Sequence, residues 1–181
     1  MVRAFVALGS NINPAENFRA ALHALARRFE RVEVSTVYRS EAEGRPEQPP
    51  FYNCVVAIET EMDPLDLKFR VLRTIEAELG RRRTSDKYAP RTIDLDLIVY
   101  GDMVLEMEEI VLPDPEISTR PFLSIPLAEL APDLTIRGTG ASITHLAEAF
   151  PKNSIEPLHS YTSTMREEVS RIQNAANSGD S

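Results

Sequence analysis

The sequence predicts an α+β fold, a ferredoxin-like α/β sandwich with an antiparallel-rich sheet and C-terminal additions. Three observations predict it. Apolar runs of strand length alternate with stripes of helical period in the order strand–helix–strand, strand–helix–strand, the split βαβ arrangement. Both helical stripes open on a capping residue followed by proline, Asn13-Pro14 and Asp63-Pro64. The length of 181 residues with 43% hydrophobic content suits one globular domain with a tail.

Taken in order, Ala4 to Leu8 is a compact apolar run that ends at Gly9-Ser10-Asn11, a buried strand entering a turn. Asn13 is expected to cap the first helix, with Pro14 at its first position and Glu16 reaching back. Phe18, Ala21, Leu22, Leu25, Ala26 and Phe29 recur at helical steps and form its buried face. His23 lies off that stripe, on the surface. Val32 to Tyr38 alternates as a half-exposed strand, and Arg39 to Pro50 is a long loop with Gly44 and three prolines. Loops of that length tend to be functional.

Phe51 to Thr60 is the next strand. The second helix follows Asp63, with Leu65, Phe69, Leu72, Ile75 and Leu79 as its apolar face and Gly80 as its stop. Ile93 to Tyr100 is a strand that turns at Gly101-Asp102. Leu112 to Pro115 reads as a rigid connector, Ser118 to Leu130 as short helical turns, Thr135-Ile136 as an edge strand, and Ser142 to Phe150 as a short helix. Tyr161, Met165, Val169 and Ile172 keep the spacing of a docking helix, and Asn174 to Ser181 has the composition of a disordered end.

The net charge of −8 argues against indiscriminate nucleic-acid binding, which depends on neutralising phosphates. The single cysteine, Cys54, lies in an apolar strand and is expected to be buried and reduced. The first residues lack the apolar length and cleavage site of a signal peptide, and no apolar stretch reaches the roughly 20 residues a membrane span needs, so a cytoplasmic protein is expected.

Against the acidic whole, one stretch stands out. Gly80 to Gly101 carries Arg81, Arg82 and Arg83, then Lys87 and Arg91, and then Asp94 and Asp96 at the head of a strand. Side chains alternate along a strand, so the two aspartates share one face, roughly 6 to 7 Å apart, while Ile93, Leu95, Leu97 and Val99 share the other. A paired carboxylate suits a magnesium ion that keeps waters and substrate oxygens in its shell. Alone, the Asp-x-Asp pattern equally fits a solvated strand face. Guanidinium forks grip phosphate oxygens, and Arg91 stands too far from the preceding helix to be explained by its dipole. The combination points to phosphoryl chemistry with a divalent cation. No GxxxxGK[ST] motif is present, which excludes a P-loop.

The run Pro90 to Leu97 (PRTIDLDL) resembles the signature of the 6-hydroxymethyl-7,8-dihydropterin pyrophosphokinase family. The resemblance extends to Leu8-Gly9-Ser10-Asn11, Tyr38-Arg39-Ser40, Phe51-Tyr52-Asn53, Gly80 to Arg83, Arg120-Pro121-Phe122 and Pro126-Leu127, in order over Val2 to Asp133. It implies a catalytic domain over residues 1–150, with 151–181 as a tail. It also implies pyrophosphate transfer from ATP to the pterin alcohol, with AMP leaving, in folate biosynthesis.

By the same resemblance Asp94 and Asp96 would hold two magnesium ions, and Arg81, Arg83 and Arg91 would hold the phosphates and act in catalysis. Tyr88, Ile98 and Arg120 would join them around the nucleotide. Phe51 and Phe122 would sandwich the pterin ring, with Asn53 reading its edge and Ser40 and Glu43 nearby. The partners implied are these two small molecules, with no nucleic acid and no membrane, on a monomer or weak homo-oligomer. The loops 39–50 and 81–91 resemble the family's closing loops. The chain departs from the family pattern at Glu41-Ala42-Glu43, usually proline-rich, at Tyr88, often tryptophan, and at Asp114, often a histidine facing the triphosphate. The rival readings are a catalytically weak pterin- or nucleotide-binding relative with a regulatory role, and an RNA-binding module that uses the arginine loop.

Overall fold

The computed structural model of the chain describes residues 1–42, 44–82, 85–86 and 89–178. Its centre is β1 (Val2–Ser10), flanked by two antiparallel neighbours, β4 (Phe51–Thr60) and β5 (Asp94–Tyr100). On the far side of β4 lie β2 (Val32–Val34) and β3 (Tyr38–Ser40), and β10 (Glu156–Pro157) extends the sheet beyond β3. The order β10-β3-β4-β1-β5 places β1 between β4 and β5, the two strands that open and close the second strand–helix–strand unit. This is the ferredoxin-like α+β arrangement that the element order predicts.

One face of the sheet is covered by α1 (Pro14–Arg28) and by a second helical rod. That rod is α2 (Pro64–Asp66), a π-helical stretch (Leu67–Leu72) and α3 (Arg73–Glu78). Here Val6, Leu8, Val56 and Ile58 pack with Phe18, Leu22, Leu25, Leu72 and Ile75. Full burial of one such side chain stabilises the fold by about 1.5–3 kcal/mol. The opposite face is covered by α4 (Pro121–Leu130) and α5 (Ile143–Glu148), through Phe5, Val55, Ile98, Leu123, Leu127 and Ile143.

Several elements depart from the sequence reading, each for a local reason. Asn13 stands at the N-cap of α1, but it is left-handed, with φ 42°, and its side chain makes no capping bond. Its carbonyl instead accepts the N–H groups of Glu16 and Asn17. The strand expected over Val32 to Tyr38 is interrupted, because the Ser35 hydroxyl takes the Val55 N–H at 3.0 Å. The second helix is capped by Asp63, as its Asp-Pro start predicts, with its carboxylate accepting from Leu65 N–H at 2.9 Å. The π-helical stretch then rotates the apolar stripe, so that Leu67 and Leu72 are buried while Phe69 is 38% exposed. Gly80, at φ 77°, ends the rod in a Schellman closure, with Gly80 N–H on Ala77 and Arg81 N–H on Glu76.

In β5 a bulge at Ile98 moves Val99 away from the face it was expected to share with Leu97. The hairpin of β6 (Leu105–Met107) and β7 (Ile110–Leu112) goes unpredicted, its acidic turn giving no strand signal. The short turns expected up to Leu130 are a 3-10 turn, Pro115–Ser118, and the single helix α4, which continues through Pro126. β8 (Thr135–Ile136) pairs with β9 (Ala141–Ser142) rather than with the main sheet.

The C-terminal helix α6 (His159–Ser178) buries Met165 and Val169 in the α1 side of the core. Its Thr162 hydroxyl accepts the Val37 N–H left by the broken strand, at 2.9 Å. His23 reaches Glu168 at 2.8 Å, tying α1 to α6. The helix runs on through 174–178, where composition alone predicts disorder, because docking upstream nucleates it. No helix among the described residues is long and apolar enough to cross a membrane.

Candidate active site

The site lies at one end of the α4 face of the sheet. Register builds its floor: Gly9 stands opposite Asn53 on β4 and opposite Asp94 on β5, and Ala7 stands opposite Asp96. An amide, a bare backbone and a carboxylate thus form one row across three strands. A Cβ on Gly9 would sit 3.4 Å from the Asn53 Oδ1, so the glycine keeps the floor open. Above it is a cleft of about 230 Å³. Ser40, Phe51, Asn53, Arg91, Asp94, Asp96, Ile98, Arg120 and Phe122 all line it.

The aromatic side of the cleft has Phe51 at the start of β4 and Phe122 in the first turn of α4. The Arg91 guanidinium lies 5.7 Å from the Phe51 ring centre and that of Arg120 lies 6.0 Å from Phe122. Asn53 is buried, and its amide donates to the Ser40 hydroxyl at 2.7 Å. A neighbour on β3 thus tethers its side chain.

The polar side is built on β5. Asp94 is ion-paired with Arg91, and the Arg81 Nε lies 4.0 Å from its other oxygen. The Asp96 carboxyl is pushed up to about 7, first by burial, then by the charges of Asp94 and Glu76. The Glu76 carboxylate accepts the Leu95 N–H at 2.8 Å, holding a third acid behind the strand. Asp114, in the cleft lining, accepts the Glu116 N–H at 2.8 Å and has its carboxyl raised mainly by burial.

This donor set fits magnesium. Two hard carboxylates face one cleft, and Asp96 resists ionisation until a cation compensates. Among the described residues no group of three or more His, Cys, Asp or Glu gathers as a metal cage.

Every candidate within the described residues reaches this one region: Arg81 through Asp94, the others through the cleft wall. Glu43, Arg83, Lys87 and Tyr88 lie outside the described residues. Sequence reasoning missed Glu76 as part of the electrostatics, although an acid beside Ile75 on a buried stripe was a readable signal. Gln48, in the cleft wall, had no signal beyond its place in a long loop. Asn11 was visible only as a member of a motif. Its side chain joins the two long loops.

An antiparallel sheet with helices on both faces defines the structural class, shared with solved structures of low sequence identity. The crystal structure of Plasmodium falciparum HPPK-DHPS with pteroate superposes at a TM-score of 0.64 and 13% identity, covering 82% of this chain and 42% of that longer one. Sequence gives the particular family. Residues 5–132 match the 7,8-dihydro-6-hydroxymethylpterin-pyrophosphokinase (HPPK) family, and the chain belongs to it. It is similar to the 2-amino-4-hydroxy-6-hydroxymethyldihydropteridine pyrophosphokinase of Pseudomonas aeruginosa, 41% identical over 86% of this chain and 96% of the relative. The like-named proteins of Synechocystis and Haemophilus influenzae are 39% and 36% identical, over 86% and 88% of this chain.

Proposed function

We propose that this cleft carries out the family's reaction: the hydroxymethyl oxygen of 6-hydroxymethyl-7,8-dihydropterin attacks the β-phosphorus of ATP. The bond to the α-phosphate oxygen breaks, AMP leaves, and the pterin diphosphate remains. The observation that carries this reading is the row Asn53–Gly9–Asp94, with an aromatic slot at one end and paired carboxylates at the other.

At the pterin end Phe51 and Phe122 take the flat ring between them, burying aromatic area on both sides. Asn53 reads the ring's edge, because its amide both donates and accepts, and Ser40 holds it in place. At the nucleotide end Arg81 and Arg91 turn from Asp94 to the phosphates and neutralise charge as it develops, a task assigned also to Arg83. Arg120, Ile98 and Tyr88 border the nucleotide, and Glu43 borders the pterin. Asp94 and Asp96 would hold two magnesium ions, which supply charge neutralisation and alignment of the attacked phosphate. A bound cation would offset the burial and the neighbouring carboxylate charges that raise the Asp96 carboxyl.

Residues 1–150 form the catalytic domain and 151–181 the tail, in a protein that works in the cytoplasm on these two small molecules as a monomer or weak homo-oligomer. The test is AMP formation from ATP with hydroxymethyldihydropterin and magnesium. Activity is expected in the intact chain and lost in Asp96→Ala. An Asp96→Ala protein of normal turnover would overturn the metal assignment.

A further inference from the structure

Val37 is fully buried, and both of its backbone groups are taken by the C-terminal tail. Its N–H donates to the Thr162 hydroxyl at 2.9 Å, and its carbonyl accepts the Leu158 N–H at 2.8 Å. Thr162 closes the bracket by donating its own proton to the Leu158 carbonyl at 2.8 Å. A hydroxyl has one proton to give, so these two bonds fix which way it points. The bracket exists because the strand is broken just before it, where the Ser35 hydroxyl takes the Val55 N–H.

The next residue, Tyr38, begins β3, which pairs with β4 over only three residues. On its outer edge β3 meets β10, through Glu156 opposite Arg39 and Pro157 opposite Tyr38. Pro157 has no N–H to give that ladder, so the bracket at Val37 supplies a bond the edge lacks. The last residue of β3, Ser40, stands opposite Phe51 and accepts the Asn53 amide at 2.7 Å. The tail also backs β4 from the other face. The Tyr161 ring packs edge-on against Tyr52, centroids 5.5 Å apart, and Tyr52 lies between Phe51 and Asn53 in the chain.

We propose that Tyr161 and Thr162 are positioning residues for the pterin subsite, an inference that rests on the reaction assigned above. Neither reaches the cleft; they act through Val37, β3 and the start of β4. A three-residue edge strand opens locally at small cost, and only the closed form presents Ser40 and Asn53 to the ring. Apparent pterin affinity falls in proportion to the closed fraction. Asp94 and Asp96 lie on β5, on the far side of β1 from β4, so the nucleotide end is spared.

The experiment is steady-state AMP formation by the full chain with magnesium, varying the pterin at saturating ATP and then ATP at saturating pterin. Thr162→Val keeps the side-chain shape and removes the hydroxyl. It is expected to raise the KM for the pterin about fivefold and the KM for ATP by less than about twofold. Thr162→Ser restores the hydroxyl and is expected to restore the pterin KM. Tyr161→Leu is expected to raise the pterin KM about threefold. In Thr162→Val, amide hydrogen exchange at Tyr38 to Ser40 should quicken by about the same factor as the KM.

A merely structural threonine would lower the melting temperature and leave the pterin KM where it was, and that outcome overturns the proposal. An equal rise in both KM values overturns it too, as does a serine variant as impaired as the valine one. Wild-type protein that forms no AMP refutes the assigned reaction instead. Should Thr162→Val not fold, an unchanged pterin KM in Tyr161→Leu counts equally against the tail's role.

Discussion

The two faces of the central sheet are made by the same strands and do opposite things. On the α1 face Val6, Leu8, Val56, Ile58 and Leu95 meet large side chains along the whole strand length. On the α4 face the same strands pack only at one end, through Phe5, Val55 and Ile98. Toward the other end the row shrinks to Ala7 and Gly9, with Asn53, Asp94 and Asp96 beside them. Period-two alternation lets one set of strands be core on one side and cleft floor on the other. A cleft arises where side chains are withdrawn, and its chemistry comes from the few that stay.

The contrast is broken most severely at the carboxylates. Asp96→Ala is expected to reduce the rate of AMP formation by at least about 100-fold with little loss of thermal stability. A stability loss with intact turnover would make that face ordinary core. Next comes Gly9→Val, whose side chain would fill the floor against Asn53. It is expected to raise the KM for the pterin about tenfold or more, with a smaller change in the KM for ATP. Ile58→Ala on the opposite face should do the reverse, with a stability loss of about 2–5 kcal/mol in urea melts and an unchanged pterin KM.

The pH dependence of the metal-free protein sharpens the comparison further. The Asp96 carboxyl is raised to about 7, so the folded state holds a proton that the unfolded chain releases near pH 4. Stability from this group is present at low pH and is lost as pH rises toward 7, at about 1.4 kcal/mol per unit at most. Asp96→Asn is expected to melt higher than the wild type at pH 8 and level with it at pH 4. A constant offset at both values would refute the assignment. The smallest effect belongs to Asp114→Asn. Asp114 is the weakest of the charges that raise Asp96, so its removal should lower the Asp96 carboxyl only slightly, read by NMR titration.

Most of the framework was legible. The β4 boundaries, Phe51 to Thr60, follow from its apolar run, and the α1 stripe from Phe18 to Phe29 is buried as spaced. What failed had causes that simple periodicity does not carry. Ser35 breaks its strand because Val55, twenty residues on, is close enough to be bonded by a hydroxyl. Phe69 leaves the apolar stripe because a π-helical stretch adds residues per turn, which periodicity at 3.6 does not foresee. Within the site Asp94 and Asp96 were readable as a pair on one face. The role of Gly9 was not, because a glycine beside a strand end reads as a turn until register places it between Asn53 and Asp94.

The sequence by itself determined the succession of strands and helices, the buried face of α1 and the local clustering of arginine with aspartate. Those are set by short-range periodicity and by neighbours on one strand. Only the tertiary structure decided that Asn53, Gly9 and Asp94 form one row, that Glu76 sits behind Asp96, and that Asn11 holds two loops at once. Each of these joins residues from separate elements, and strand register and helix docking fix such distances only when the whole sheet is assembled.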